Sequence, residues 1–448
     1  MSLYRPDSVE GGGNDHDAGA VRRSAAGKRG AFFLQRLVAH GGRGISVRAL
    51  GGDRAGEMRI TRFLHNPKVT AAAMMETVLA RTCARVCGRH VLAIQDSSAL
   101  QVDERGIGVS LHPVLAVEAM TGTVLGLAGN QFLTRKGGAR ATRKERDFAD
   151  KDSRRWLTGA EAAGRLAEAG AACVTVVEDR EGDIYECFAF KPAGVEKLVR
   201  AAQDRALGEG GRLFATAQAW PEAGRMTVEL PAAAGRKARA CTLSLSFGAV
   251  SLKRPASRGS GPSLPEAIPI ALVMAREVAP PAGEEPAHWL LLTTHRVSDV
   301  ADCCRIVGFY RQRWTIEQLF RTMKTKGFAV EALRQEEAPL EKLATAALIA
   351  AVTVMQLVAE RDGAARRPLA DALEEADQPA LEAVCQSLEG KTARQKNPHP
   401  PASLAYASWV FARLGGWTGY YGKPGPIVML RGLTQFHAIK HGWSLRDV

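Results

Sequence analysis

Two apolar runs that each end on an aspartate constrain this chain most. Val91-Leu92-Ala93-Ile94-Gln95-Asp96 and Cys173-Val174-Thr175-Val176-Val177-Glu178-Asp179 both read as buried strands tipped by a carboxylate. After the first come two further strands, Leu111 to Val117 and Val124 to Leu127, joined by the turn Met120-Thr121-Gly122-Thr123. A basic loop follows, carrying Arg135, Lys136, Arg140, Arg143, Lys144 and Arg146, and then a helix around Trp156 to Ala169. Asp often caps turns at strand ends, so either aspartate alone has a purely structural explanation.

The flanking segments differ in character. From Ala31 to Arg89 the pattern is helical, with a turn at Asn66-Pro67 and a new helix opened by Thr70. Arg43, Arg48, Arg54, Arg59, Arg62 and Lys68 decorate this region, which reads as a small basic DNA-binding module. From about Arg212 to Thr294 short alternating strands are separated by turns rich in Pro, Gly and Arg. After Glu331 the chain is helical again, and Ala402 to Trp443 suggests a last helical unit.

Charge points to the partner. Over 448 residues the formal net charge is +13, a surplus that suits a polyanion, with nucleic acid first among them. The eight cysteines include no pair with the spacing of a zinc knuckle or a redox CxxC, so free thiols in a reducing cytoplasm are expected. No stretch reads as a membrane span, no apolar signal core opens the chain, and the leader through about Gly30 reads as disordered. The protein is therefore expected to be cytoplasmic.

The stretch from Tyr310 to Lys324 carries the chemistry. On one continuous helix Tyr310, Arg313, Glu317 and Lys324 would fall within roughly 60° of arc. Phe309, Ile316, Leu319 and Met323 form the apolar stripe beside them. A carboxylate flanked by a phenol, a guanidinium and an ammonium suits a phosphate ester held next to a metal ion. A solvated helix face is the plainer explanation of such a pattern. Asp96, Asp179 and Glu317 together make a set of hard oxygen ligands. Phosphodiester hydrolysis needs an activated water and charge stabilisation at the leaving oxygen, and two Mg²⁺ ions about 4 Å apart provide both.

These residues carry a resemblance. The chain is similar to DDE transposases of the insertion-sequence-four family, Tn-five-like, through three stretches: Leu92-Ala93-Ile94-Gln95-Asp96-Ser97-Ser98, the run Val176 to Ile184, and the Tyr-Arg-Glu-Lys signature with gaps of two, three and six residues. Arg62-Phe63-Leu64-His65-Asn66-Pro67, His288-Trp289-Leu290-Leu291-Leu292-Thr293 and Ala412-Arg413-Leu414-Gly415-Gly416-Trp417 add to it. The resemblance implies an α/β fold with an RNase H-like catalytic core, a mixed sheet with flanking helices interrupted by a β-rich insertion. The expected organisation is a leader (1–30), a helical DNA-binding module (31–89), a first core segment (90–205), the insertion (206–295), a second core segment (296–365) and a C-terminal helical dimerisation domain (366–448).

It further implies Asp96, Asp179 and Glu317 as the catalytic, metal-binding triad, holding two Mg²⁺ ions for which Mn²⁺ substitutes. Tyr310, Arg313 and Lys324 would hold transposon-end phosphates, with Arg321 assisting and Arg200 near the DNA. Trp289 would stack on a base flipped out near the cut, although a core aromatic explains it equally well. The implied activity is cut-and-paste transposition: 3′ nicking, hairpin formation and resolution, then strand transfer, by a homodimer synapsing two DNA ends. In one departure from the family, Asp96 and His112 are only 16 residues apart, where a longer loop is usual. An inactive or domesticated DNA-binding derivative that inhibits transposition, and a two-metal nuclease without strand transfer, are the other readings.

Overall fold

The computed structural model describes residues 15–102, 108–135, 152–230, 238–256, 264–324, 327–332, 339–420 and 422–444. Of the basic loop, Lys136, Arg140, Arg143, Lys144 and Arg146 lie outside these. Four helices come first: α1 (Asp15–Ala39), α2 (Val47–Gly51), α3 (Arg54–Leu64) and α4 (Ala71–Val86). The Asp53 carboxylate accepts from Gly56 N–H to open α3, and the Thr70 hydroxyl accepts from Ala73 N–H to open α4, each satisfying an otherwise orphaned donor. Helix α1 begins within the stretch expected to be a disordered leader. Its Phe33, Leu34, Leu37 and Val38 are buried in one core with Ile60 and Phe63 of α3, which anchors the helix.

One large mixed sheet organises the rest. Its strands are β1 (His90–Gln95), β2 (Ser98–Val102), β3 (Gly108–Glu118), β4 (Val124–Arg135), β5 (Cys173–Glu178), β6 (Val195–Arg200), β7 (Gly224–Leu230), β8 (Arg239–Lys253), β9 (Ala267–Glu277) and β10 (His288–Thr293). The order is β2-β3-β1-β5-β6-β10-β9-β8-β7, with β4 also paired to β3. Strand β1 runs antiparallel to β3 and parallel to β5, and β5 runs parallel to β6. The β-rich segment does not form a sheet of its own. After the short helix α6 (Tyr185–Ala189), it opens with a helix, α7 (Leu213–Ala219), and its strands extend the same ladder because β10 pairs antiparallel with β6, Leu291 opposite Arg200.

The apolar strands β1 and β5 are covered on both faces. Val91, Ala93, Val174 and Val176 pack with Ala160, Ala163 and Leu166 of α5 (Arg154–Glu168). Leu92, Ile94 and Val177 point the other way, into the core shared with α8 (Val300–Arg311), α9 (Trp314–Met323) and α10 (Leu340–Glu360). Full burial of each such side chain contributes about 1.5–3 kcal/mol. Helix α10 corrects the expectation that no stretch reaches membrane-span length. It is the one helix among the described residues long and apolar enough, and 94% of that stretch is buried inside the fold. Helices α11 (Gln378–Leu388), α12 (Leu404–Leu414) and α13 (Pro426–Ser444) complete the chain.

The single continuous helix expected from Tyr310 to Lys324 is also corrected: two helices meet at Gln312-Arg313. There Arg313 N–H donates to Tyr310 C=O at 3.0 Å, Thr315 N–H to Gln312 C=O at 2.9 Å and Ile316 N–H to Arg313 C=O at 3.2 Å. These are i→i+3 bonds, tighter than those of an α-helix, so the winding changes locally.

Candidate functional site

Strand pairing brings the first two acids together. The register sets Ile94 opposite Val177 in a parallel ladder, so Asp96 and Asp179, two residues further on, leave adjacent strand ends on the same face. Each is held by a local backbone donor: Ser97 N–H to Asp96 Oδ1 at 2.7 Å, and Glu181 N–H to Asp179 Oδ1 at 2.8 Å. Glu317 stands in the first turn of α9. Arg313, at the break between the helices, donates from Nη1 to Asp96 Oδ2 at 3.3 Å and from Nη2 to Glu317 Oε1 at 2.6 Å. One guanidinium thus separates Asp96 from Glu317, and the three acids do not all lie within 4.8 Å of one another in this arrangement.

The Asp96 carboxyl feels the charge of both other acids. Burial, then the charge of Asp179, pushes the Asp96 carboxyl up to about 6; Ser97 N–H and Arg313 act against this, and Glu317 adds to it. An acid whose folded pKa stands above its ordinary 3.8 binds more protons folded than unfolded. Unfolding free energy therefore falls as pH rises from about 4 through 6, and the ionised Asp96 costs the fold on the order of 3 kcal/mol at neutral pH. Asp96→Asn should raise the urea unfolding midpoint near neutral pH in EDTA, and should flatten the pH dependence between about pH 4 and 6. A variant less stable than the parent at neutral pH would contradict this cost.

The other predicted residues divide into two groups. Tyr310, Arg200 and Trp289 are brought to Arg313. Burial holds the Tyr310 phenol above its ordinary range although Arg313 and Arg200 both face it. Trp289 is half-buried, its ring edge-on to Tyr310 with centroids 6.0 Å apart. Arg200 Nη2 donates to His288 C=O at 2.8 Å and, with Arg180 and Gln218, lines a cavity of about 150 Å³. Lys324, Arg321 and Arg62 have other surroundings. Lys324, at the end of α9, has Nζ 3.9 Å from Glu331. Arg321 is exposed and shares a cleft of about 530 Å³ with Glu317 and Trp314. Arg62 is exposed in the last turn of α3.

A buried polar network under the acids was missed from the sequence. Because side chains alternate along a strand, Gln95 and Glu178 point to the opposite face from Asp96 and Asp179. Gln95 Nε2 donates to Glu178 Oε1 at 2.5 Å and to Trp156 C=O at 3.0 Å, and Lys197 Nζ closes on Glu178 Oε2. Burial pushes the Glu178 carboxyl up, against the pull of Lys197 and Gln95. His112 Nε2 lies 2.9 Å from Gln95 Oε1, its Nδ1 lies 2.8 Å from Ser97 Oγ, and Arg155 Nε donates to Ser97 Oγ at 2.9 Å.

Only one assignment satisfies this chain of donors. Gln95 Oε1 can only accept, so neutral His112 carries its proton on Nε2 and accepts the Ser97 hydroxyl at Nδ1. Burial, then Arg155, lowers His112 to about 3, which agrees with a neutral ring. Two glycines permit the packing: a Cβ at Gly159 would collide with Gln95 Oε1, and one at Gly182 with Glu178 Oε2. Asp183 accepts from Arg205 Nε at 3.0 Å and Nη2 at 2.6 Å and from the Ala202 and Gln203 N–H groups, which fixes the turn after Asp179. A polar residue within an otherwise apolar run, as at Gln95, is the signal that could have revealed the network.

The donor set fits a hard divalent cation. Asp96 and Asp179 are adjacent carboxylates, the charge of Asp179 making ionised Asp96 costlier, and Glu317 adds a third on a flexible side chain. No protein-family model matches the chain.

Proposed function

We propose that this chain is a DDE-type DNA transposase, cleaving and joining the ends of a mobile element in cut-and-paste fashion. The observation that carries the proposal is the meeting of Asp96 and Asp179 at adjacent strand ends with Glu317, joined through Arg313. The strand order β4-β3-β1-β5-β6, antiparallel and then parallel, supports an RNase H-like core. The net charge of +13 supports a DNA partner.

Asp96, Asp179 and Glu317 would hold Mg²⁺, or Mn²⁺ in its place. When bound, the metal supplies Lewis acidity toward the phosphodiester and charge stabilisation at the leaving oxygen. Arg313 orients Asp96 and Glu317 and, with Arg200 and the Tyr310 hydroxyl beside it, offers donors to a phosphate at the same place. Trp289 offers an indole next to those donors for a displaced base, in a hairpin step that follows the first nick. Helices α11 to α13 are the proposed dimerisation region, with Ile439 exposed on α13.

The test uses the full chain and linear DNA carrying the element's own inverted repeats, located between direct target duplications in the flanking DNA. Mg²⁺-dependent nicking at the repeat boundary, followed by hairpins and strand transfer, is expected; no Mg²⁺-dependent nick would overturn the reading. Stacking on an indole is worth about 1–3 kcal/mol per base. Trp289→Ala should therefore slow hairpin formation by about 5- to 150-fold while leaving the first nick near the parental rate. Equal slowing of both steps would assign Trp289 to structure instead.

A further inference from the structure

We propose that His90, Cys173 and His295 form a transition-metal site, matched to Zn²⁺, at the opposite end of the central strands from the acids. His90 opens β1 and Cys173 opens β5, and the parallel register sets them directly opposite each other, on one face. His295 lies two residues beyond β10, whose Thr293 pairs with Leu198 of β6. One ligand atom from each residue lies within 4.8 Å of the others, and all three residues are half-buried, accessible to an ion from solvent.

One hydroxyl gathers the rings. Thr175 Oγ1 is 2.8 Å from His90 Nε2 and 2.7 Å from His295 Nε2, so both nitrogens face the same oxygen, which an incoming ion would replace as their partner. Phe309 packs edge-on against His90, with centroids 4.7 Å apart, and lies 6.2 Å from His295, which limits the freedom of both rings. Two imidazoles and a thiolate are a borderline-soft donor set that selects Zn²⁺ over Mg²⁺. Zinc–ligand bonds of about 2.0–2.3 Å need only small side-chain rotations to close the group. Glu196, opposite Thr175 in the β5–β6 register, is the neighbouring carboxylate for the fourth position or for orienting a ligand. Lys191 and Arg305 also face the cluster.

Binding moves the Cys173 thiol proton to solvent, and the metal keeps its charge. The ion would clip the starts of β1 and β5 to the chain that leaves β10 and enters α8, the helix that carries Tyr310. His90 lies six residues before Asp96 along the chain, roughly 20 Å away at strand rise, so this site is separate from the acids.

Co²⁺ titration of the EDTA-treated, dialysed full chain tests the site. One equivalent should give tetrahedral d–d bands and a near-ultraviolet thiolate-to-cobalt charge-transfer band, both displaced by Zn²⁺. Cys173→Ala should abolish the charge-transfer band, and His295→Ala should weaken Co²⁺ binding by at least about tenfold. Glu317→Gln should leave the spectrum unchanged. Circular dichroism checks that the variants are folded, and Zn²⁺ should raise the melting temperature of the parent but not of Cys173→Ala. A parent without the band, or a band that survives in Cys173→Ala, would overturn the proposal. A failure there leaves the transposase reading intact, because Mg²⁺-dependent nicking reports on the other end of these strands.

Discussion

Glu317→Gln should abolish Mg²⁺-dependent nicking of end DNA, by at least about 10³-fold, while leaving DNA binding and the fold near parental. The substitution keeps the shape of the side chain and removes one of three anionic ligands, a loss expressed where charge develops during reaction. A 10³-fold drop corresponds to about 4 kcal/mol of barrier. The structural cost is much smaller. The Glu317 side chain is 34% exposed and its pairing with Arg313 is partly screened, so stability should change by less than about 1 kcal/mol. Arg313 keeps Asp96 as a partner at 3.3 Å and remains available to phosphate. Gel-shift and nicking assays on the same preparation separate the two effects. Substantial nicking by the variant would remove Glu317 from the triad.

Lys197→Met should give the largest loss of stability, about 3–5 kcal/mol. Lys197 and Glu178 are 4% and 0% exposed, so removing the ammonium strands a carboxylate that no water can reach. Gln95 alone then faces Glu178, whose pKa is already raised by burial, and the group is pushed further toward its protonated form. The deficit should therefore grow as pH rises, because the folded state must give up the proton or unfold. Adding Glu178→Gln to Lys197→Met removes the stranded charge and should recover much of the loss. Urea unfolding of the two variants measures both effects, and a loss under about 1 kcal/mol for Lys197→Met would show that the pair is not a structural element. Because Glu178 precedes Asp179, nicking should fall with stability in the single variant.

Much of the site was legible because its signals are local. A continuous apolar run ending on Asp identifies a buried strand and its tip, and Asp96 and Asp179 both stand there. Thr70 announced the start of α4 by its capping chemistry. What was not legible depends on contacts distant in sequence. Nothing in Phe309 to Ile316, which contains neither Gly nor Pro, signals the break between α8 and α9. The β-rich segment reads locally as alternating strands, and only the pairing of β10 with β6 makes it a continuation of the central sheet. The same pairing carries Trp289 to Tyr310 at one end of the strands and His295 to His90 at the other. The helix beginning at Asp15 lies in a stretch whose Gly and Ser content lowers intrinsic helix propensity, and packing of its later turns sustains it.

Asp96, Asp179 and Glu317 are expected to share divalent ions. An anomalous difference map from crystals of the full chain soaked in Mn²⁺ tests it most directly. A peak is expected between the Asp96 and Asp179 carboxylates, with Glu317 turned toward it and Arg313 displaced from between the acids. Crystals saturated with Mn²⁺ that show no peak there, while Arg313 still bridges Asp96 and Glu317, would contradict it.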